Sequence, residues 1–148
     1  MHHQNAPLPI LFLEEEVGDR LVRTNEDLEF TRSQHYVLGY DAKLSSDWRL
    51  KTEVYYQDID NAPIDAFPSS FSVLTEGADF GFSDTKVGLV NGGTGFNRGV
   101  ELTLENYYSN GYYALLTGSL FESKYEGSDG IERNTPFNNG YVLNVLGG

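Results

Sequence analysis

The chain has no cysteine, three histidines and one tryptophan among 148 residues. Without cysteine there is no disulfide framework, no thiolate zinc site and no cysteine nucleophile, while reducing and oxidising compartments both stay open. No apolar run approaches the roughly 18 residues that a membrane-spanning helix requires, which excludes a transmembrane helix. The opening residues, 1–7, lack a basic segment followed by an apolar one and so do not read as a secretory signal; the expectation is that the chain stays inside or that its true beginning is missing. Basic residues are few, 10 Lys and Arg against 22 Asp and Glu, for a formal net charge of -12. A field of that sign opposes binding to phosphate backbones, so nucleic acid is not an expected partner.

What the chain does have is alternation. From about Ser33 onward apolar and polar residues alternate in twos, punctuated by Asn, Asp, Ser and many of the 16 glycines, the pattern of antiparallel β-structure. Within residues 48–57, Trp48, Leu50, Thr52, Val54 and Tyr56 share one face, and Arg49, Lys51, Glu53, Tyr55 and Gln57 share the other. Upstream, Tyr36, Leu38, Tyr40, Ala42 and Leu44 alternate with His35, Val37, Gly39, Asp41 and Lys43, and Ser45-Ser46-Asp47 forms a polar turn that makes the two runs a hairpin.

A second hairpin follows the same plan. Val100, Leu102 and Leu104 alternate with Glu101, Thr103 and Glu105, and Ser109-Asn110-Gly111 turns the chain into residues 112–124. Parity leaves the facing of that last run open, because Leu116 and Leu120 share it with Glu122 and Lys124. Residues 86–90 and 141–146 are shorter strand candidates. Short turns inside each hairpin contrast with the long Gly/Pro/Asn/Asp-rich segments 58–71 and 125–140. Short turns at one end and long loops at the other are regular in outer-membrane barrels, and Tyr107, Tyr108, Tyr112, Tyr113 and Trp48 at the short-turn end stand where an interfacial girdle would lie.

Residues 1–32 differ, with seven acids and two arginines between positions 14 and 29; they read as an acidic outer loop and strand end preceding the 33–148 meander. No constellation for chemistry emerges. His2, His3 and His35 match no zinc spacing, and Ser128-Asp129-Gly130 reads as a turn and not as a calcium loop. Glu101 and Glu105 lie about 13 Å apart along one strand, beyond the roughly 5–9.5 Å that glycosidase carboxyls need. The run 91–99 has glycines at the wrong spacing for a dinucleotide loop, and no nucleophile elbow occurs. Catalytic, metal and cofactor residues are therefore expected to be none, and ligand-binding residues stay unassigned.

Several stretches together resemble the TonB-dependent receptors of bacterial outer membranes, at the end of their barrel. They are Ser33-Gln-His-Tyr-Val-Leu-Gly-Tyr40, Glu53-Val-Tyr-Tyr-Gln57, Leu89-Val-Asn-Gly-Gly-Thr-Gly-Phe-Asn-Arg-Gly-Val-Glu-Leu-Thr-Leu-Glu105, Leu116-Thr-Gly-Ser-Leu-Phe-Glu-Ser-Lys-Tyr125 and Asp129-Gly-Ile-Glu-Arg-Asn-Thr135. The resemblance implies an all-β, up-and-down antiparallel meander forming one arc of a barrel of about 22 strands around a plug. It also implies a Gram-negative outer-membrane location and non-enzymatic uptake of a nutrient. The implied partners are outer-membrane lipid, the rest of the barrel and plug, an inner-membrane energy-coupling complex reached through that missing part, and an imported ligand of unknown identity. The plug and the energy-coupling box are missing, so the chain is expected to be a fragment, with residues before Pro7 continuing an earlier strand and Gly147-Gly148 leading into another.

On this reading Trp48, Leu50, Val54, Tyr36, Leu38, Leu102 and Leu104 face lipid, and Arg49, Lys51, Glu53, Glu101 and Glu105 face the lumen. Loops 58–71 and 125–140 correspond to outer loops of the kind that capture ligand. The alternative from another class is a soluble β-sandwich, a lectin-like carbohydrate-binding module whose greasy faces pack together; a glycan-active enzyme is a third. Alternation serves a core and a bilayer equally, so coordinates must separate them.

Overall fold

The computed structural model describes residues 1–76 and 86–148, and strands dominate it. In chain order these are β1 (His2–Gln4), a short helix α1 (Leu8–Leu11), β2 (Glu15–Val17), β3 (Arg20–Val22), β4 (Thr31–Lys43), β5 (Trp48–Asp65), one 3₁₀ turn (Val73–Thr75), β6 (Leu89–Ser109), β7 (Tyr112–Glu126), β8 (Glu132–Asn134) and β9 (Tyr141–Gly147). One sheet runs in the order β1-β4-β5-β6-β7-β8 with β9 also on β7, and β2 pairs with β3 apart from it. The expected all-β meander is present: the four long strands neighbour one another in sequence order. The sheet is open, and no closed barrel is formed among the described residues.

Both expected hairpin turns occur, for local reasons. Leu44 N–H donates to the Trp48 carbonyl at 2.9 Å, and Ser45 Oγ accepts from the backbone N–H of Asp47 and of Trp48. In the other turn Asn110 and Gly111 take φ of 51° and 87°, the pair of positive angles that a two-residue hairpin demands.

Several segments differ from their sequence reading. Residues 58–71 were expected to be loop, yet β5 continues to Asp65, because Ala62, Pro63 and Ile64 are buried and Asn61 accepts a positive φ of 64° within the strand. The short candidate 86–90 supplies only the beginning of β6, a 21-residue strand that includes the whole glycine-rich run 91–99. Loop 125–140 contains β8, which folds back so that Lys124, Tyr125 and Glu126 pair with Asn134, Arg133 and Glu132. In the acidic 1–32 segment, β1 pairs with the start of β4 (His2 opposite Ser33), α1 follows, and β2 and β3 form a hairpin around Gly18.

The chain divides into two compact units. Unit 1 comprises Met1–Gln34, Asp58–Phe96 and Lys124–Pro136; unit 2 comprises His35–Gln57, Asn97–Ser123 and Phe137–Gly148. The buried apolar residues Ala6, Ala62, Ile64, Leu89 and Tyr125 all belong to unit 1. Unit 2 contains no buried apolar side chain among the described residues.

Candidate functional site

Unit 2 is a single layer of strands whose two faces differ chemically. On one face Tyr36, Leu38, Tyr40, Leu50, Val54, Tyr56, Val100, Leu102 and Leu104 alternate outward, as read from the sequence. β9 extends the stripe, since its register sets Tyr141, Leu143 and Val145 opposite Leu120, Gly118 and Leu116. The pairing of Glu122 with Arg98 of β6 gives the facing of β7, which parity left open: Leu116 and Leu120 share the face of Val100 and Leu102, while Thr117 and Ser119 stand opposite Asn144 and Val142 on the other. Thr117 Oγ1 accepts from Asn144 Nδ2 at 3.2 Å. Among the described residues nothing covers the stripe: Leu38 is 77% exposed, Val145 75% and Leu143 64%.

The opposite face carries most of the charge of unit 2, together with exposed apolar residues at Val37, Val142 and Leu146. Arg49 links three strands, donating two hydrogen bonds to the Asp41 carboxylate and lying 3.9 Å from Glu105. Lys51 pairs with Glu53 at 3.1 Å, and Asn97 Nδ2 donates to Gln57 Oε1 at 2.9 Å. His35, Val37, Glu53, Tyr55, Tyr56, Gln57 and Glu101 line an open recess of about 370 Å³. The residues expected to face a lumen, Arg49, Lys51, Glu53, Glu101 and Glu105, are thus gathered on one surface. Of the charged residues on unit 2 strands, only Arg98 and Glu122 sit on the apolar face, and they pair with each other at 2.6 Å.

Unit 1 gathers the segments that sequence read as loops, and amides and hydroxyls tie them together alongside ion pairs such as Lys86–Asp65 and Lys124–Glu132. Asn25, fully buried, donates from Nδ2 to the carbonyls of Ile10 (3.1 Å) and Lys86 (2.8 Å) and accepts at Oδ1 from Leu89 N–H (2.9 Å). Thr24 Oγ1 accepts from Gly88 N–H, and Asn91 bonds to the backbone of Glu29 and Asn61. The two long loops meet: Ser128 Oγ donates to the Phe67 carbonyl and accepts from Ser69 N–H, and Asp129 N–H donates to the Ser69 carbonyl. Gly127 permits that approach, since a Cβ there would lie 2.5 Å from the Ser69 carbonyl oxygen. Among the described residues no buried side-chain polar atom lacks a partner.

The glycine-rich run 91–99 has a packing role in place of a phosphate-cradling one: a Cβ on Gly93 would meet Ile64, and one on Gly95 would meet Leu74 and the Lys124 carbonyl. In loop 125–140, Arg133 grips Asp129 through two hydrogen bonds of 2.9 and 2.7 Å. The guanidinium holds the Asp129 carboxyl below its ordinary range, and the carboxylate raises Arg133 in turn. No group of three or more metal-ligating side chains occurs among the described residues.

Sequence reasoning missed the latch at Asn25 and the loop-to-loop clasp at Ser69 and Ser128. The only signal for either was the density of Asn and Ser within otherwise irregular segments, which marks loops without naming their partners. Compared with known protein families, curated proteins and solved structures, the chain finds no match.

Proposed function

We propose that this chain is a panel of a bacterial outer-membrane β-barrel wall, from a receptor of the TonB-dependent type that takes up a nutrient without chemically altering it. The observation that carries the reading is the segregation of charge in unit 2. One face presents Leu38, Tyr40, Leu102, Leu143 and Val145 uncovered, and the other holds Asp41, Arg49, Lys51, Glu53, Glu101 and Glu105. In water an apolar surface of that extent is unfavourable; against lipid tails it is the satisfied state, while the ionic face suits a hydrated lumen. The unit 2 stretches of β4, β5, β6 and β7, residues 35–43, 48–57, 97–109 and 112–123, are nine to thirteen residues long. A tilted barrel strand needs about 9–11 residues to cross a bilayer.

The sheet's open edges fit an arc completed by strands that this chain does not supply. A sandwich requires a second layer over the stripe, and the stripe is exposed. The receptor assignment rests on the sequence resemblance, and loop segments 66–71 and 127–135 are the part that would meet an incoming ligand.

The test is refolding of the 148-residue chain with and without lipid. The expected result is β-structure and protease resistance only in detergent or vesicles. A monodisperse monomer that unfolds cooperatively in plain buffer overturns the reading. The receptor type is tested by the DNA upstream of Met1: an in-frame plug domain and further strands are expected, and a stop codon preceded by unrelated sequence overturns it.

A further inference from the structure

An asparagine directly before a glycine is open to attack by the backbone itself, because glycine has no Cβ to keep its nitrogen away from the asparagine Cγ. The sequence contains three such pairs, Asn91-Gly92, Asn110-Gly111 and Asn139-Gly140. The fold holds two of them in unreactive arrangements. In β6 the Asn91 amide is engaged at both polar atoms: Oδ1 accepts from Glu29 N–H at 2.8 Å, and Nδ2 donates to the carbonyls of Glu29 at 3.2 Å and Asn61 at 2.8 Å. Asn110 is restrained by its backbone instead. Its φ of 51° belongs to the left-handed region, where a ψ of about +47° sets the next nitrogen anti to Cβ about the Cα–C bond, the arrangement least suited to closing a ring.

Asn139 has neither restraint. It is exposed, lies outside every helix and strand, has no positive φ, and its side-chain amide makes no hydrogen bond among the described residues. Its own N–H donates to the Phe137 carbonyl at 2.9 Å, and the Gly140 carbonyl accepts from Phe121 N–H at 2.9 Å, but Gly140 N–H has no acceptor among the described residues. A Cβ on Gly140 would meet nothing within 4 Å, so a ring has room to form. The attacking nitrogen and the amide carbon are thus adjacent, wet and uncommitted.

We infer that Asn139-Gly140 is a self-modifying site, at which the Gly140 nitrogen attacks Asn139 Cγ and the segment entering β9 is converted to an aspartyl or isoaspartyl form. Gly140 N gives its proton to water as the N–Cγ bond forms; the Cγ–Nδ2 bond then breaks and ammonia leaves, giving a cyclic succinimide. Water adds to one of the two ring carbonyls and opens it. Breaking the new N–Cγ bond leaves aspartate, and breaking the original peptide bond leaves isoaspartate. The sum consumes one water, releases one ammonia, moves no electrons between reactants and adds one negative charge. In the isoaspartate the main chain runs through Cβ and Cγ and is one atom longer. Tyr141 opposite Leu120 is the first pair of β9 on β7, and Gly140 precedes it with a φ of 78°. The extra atom displaces the Gly140 carbonyl from Phe121 N–H and loosens the entry to β9.

The full chain is folded in whichever of detergent or plain buffer yields β-structure, which makes the test independent of the membrane reading. It is then held in mildly alkaline buffer beside a sample kept unfolded in guanidinium chloride. Peptide mapping with fragmentation that separates isoaspartate from aspartate follows each pair. Unfolded, all three pairs are expected to convert at similar rates. Folded, Asn139 is expected to stay within a few-fold of that rate, whereas freeing the Asn91 amide from its hydrogen bonds costs at least about 1.4 kcal/mol and slows conversion there at least about tenfold. Asn110 is expected to lag likewise. Conversion of Asn91 or Asn110 as fast as Asn139 in the folded chain, or of Asn139 only when unfolded, overturns the assignment. Ageing is also expected to lower exchange protection at Phe121 in the wild type and not in Asn139→Gln, whose longer side chain closes the corresponding ring far more slowly. Loss in both chains, or in neither, overturns the effect on β9.

Discussion

Tyr55 lies over the bare backbone of Gly99, its phenol oxygen 2.7 Å from where a Cβ would be and the Leu120 carbonyl oxygen equally close. A glycine in a strand interior weakens the strand unless an aromatic ring on the neighbouring strand covers it. Here the ring comes from β5 and the glycine from β6. Gly99→Ala is therefore expected to destabilise the refolded protein by about 1–3 kcal/mol, the typical cost of forced overpacking. Tyr55→Ala added to Gly99→Ala should restore only part of the loss, since the Leu120 carbonyl cannot move aside. Denaturant midpoints of the two variants in one detergent provide the measurement, and full recovery in the double variant contradicts the backbone clash.

Asn25 acts as a three-way latch for unit 1. Replacing it with alanine leaves the Leu89 N–H without its acceptor and the Ile10 and Lys86 carbonyls without their donor. A buried unsatisfied group costs about 1–3 kcal/mol, so Asn25→Ala should loosen this region measurably. Asn25→Asp keeps the acceptor for Leu89 but aims carboxylate oxygen at two carbonyls, so the damage should be greater at neutral pH than near pH 4. Amide exchange at Leu89 and Gly88 reports both effects; equal protection in wild type and Asn25→Ala argues against the latch.

The grip of Arg133 on Asp129 sets an acid limit on loop 127–135. The folded Asp129 carboxyl is held below its unfolded value of about 3.9, so its contribution is fully present above that value and is lost as pH falls through the lower folded one. Exchange protection at Ile131, whose N–H donates to Asp129 Oδ1 at 3.2 Å, should be level from pH 7 to about 5 and should fall below about pH 4. In Arg133→Gln that fall should begin at a higher pH, because the guanidinium no longer favours the ionised carboxylate. An identical pH profile in the variant removes Arg133 as the cause.

The same strands explain what alternation revealed and what it concealed. Where β4 and β5 cross unit 2, every second residue apart from Thr52 is apolar and the sequence pattern stands clear, from Tyr36 to Leu44 and from Trp48 to Tyr56. Beyond Tyr56 the strand continues through Asp58, Asp60 and Asn61, residues that sequence statistics assign to loops, and its pairing and the burial of Ala62 and Ile64 override that preference. The mixed parity of β7 has the same origin. Leu116 and Leu120 belong to the apolar belt, Glu122 stands at its edge paired to Arg98, and Lys124 lies in unit 1, so one strand passes through two environments and no single facing rule describes it. The Asn25 latch joins residues 61 and 64 positions apart, a separation at which no local pattern speaks.

Two adjacent residues on β6 offer the sharpest discrimination between a wall in lipid and a sheet in water. Leu102 lies on the apolar face and is 41% exposed, while its neighbour Thr103 lies on the ionic face between Glu101 and Glu105. For a water-facing surface, lysine at either position should change stability by about 0.5 kcal/mol or less. In a bilayer, Leu102→Lys places an ammonium near the middle of the apolar belt, at a cost of about 2–4 kcal/mol, whereas Thr103→Lys enters a hydrated surface beside two carboxylates at little cost. Urea titrations of both variants refolded in vesicles should therefore separate by at least about 2 kcal/mol, with Leu102→Lys the weaker. Similar midpoints for the two would mean that the apolar stripe does not meet hydrocarbon.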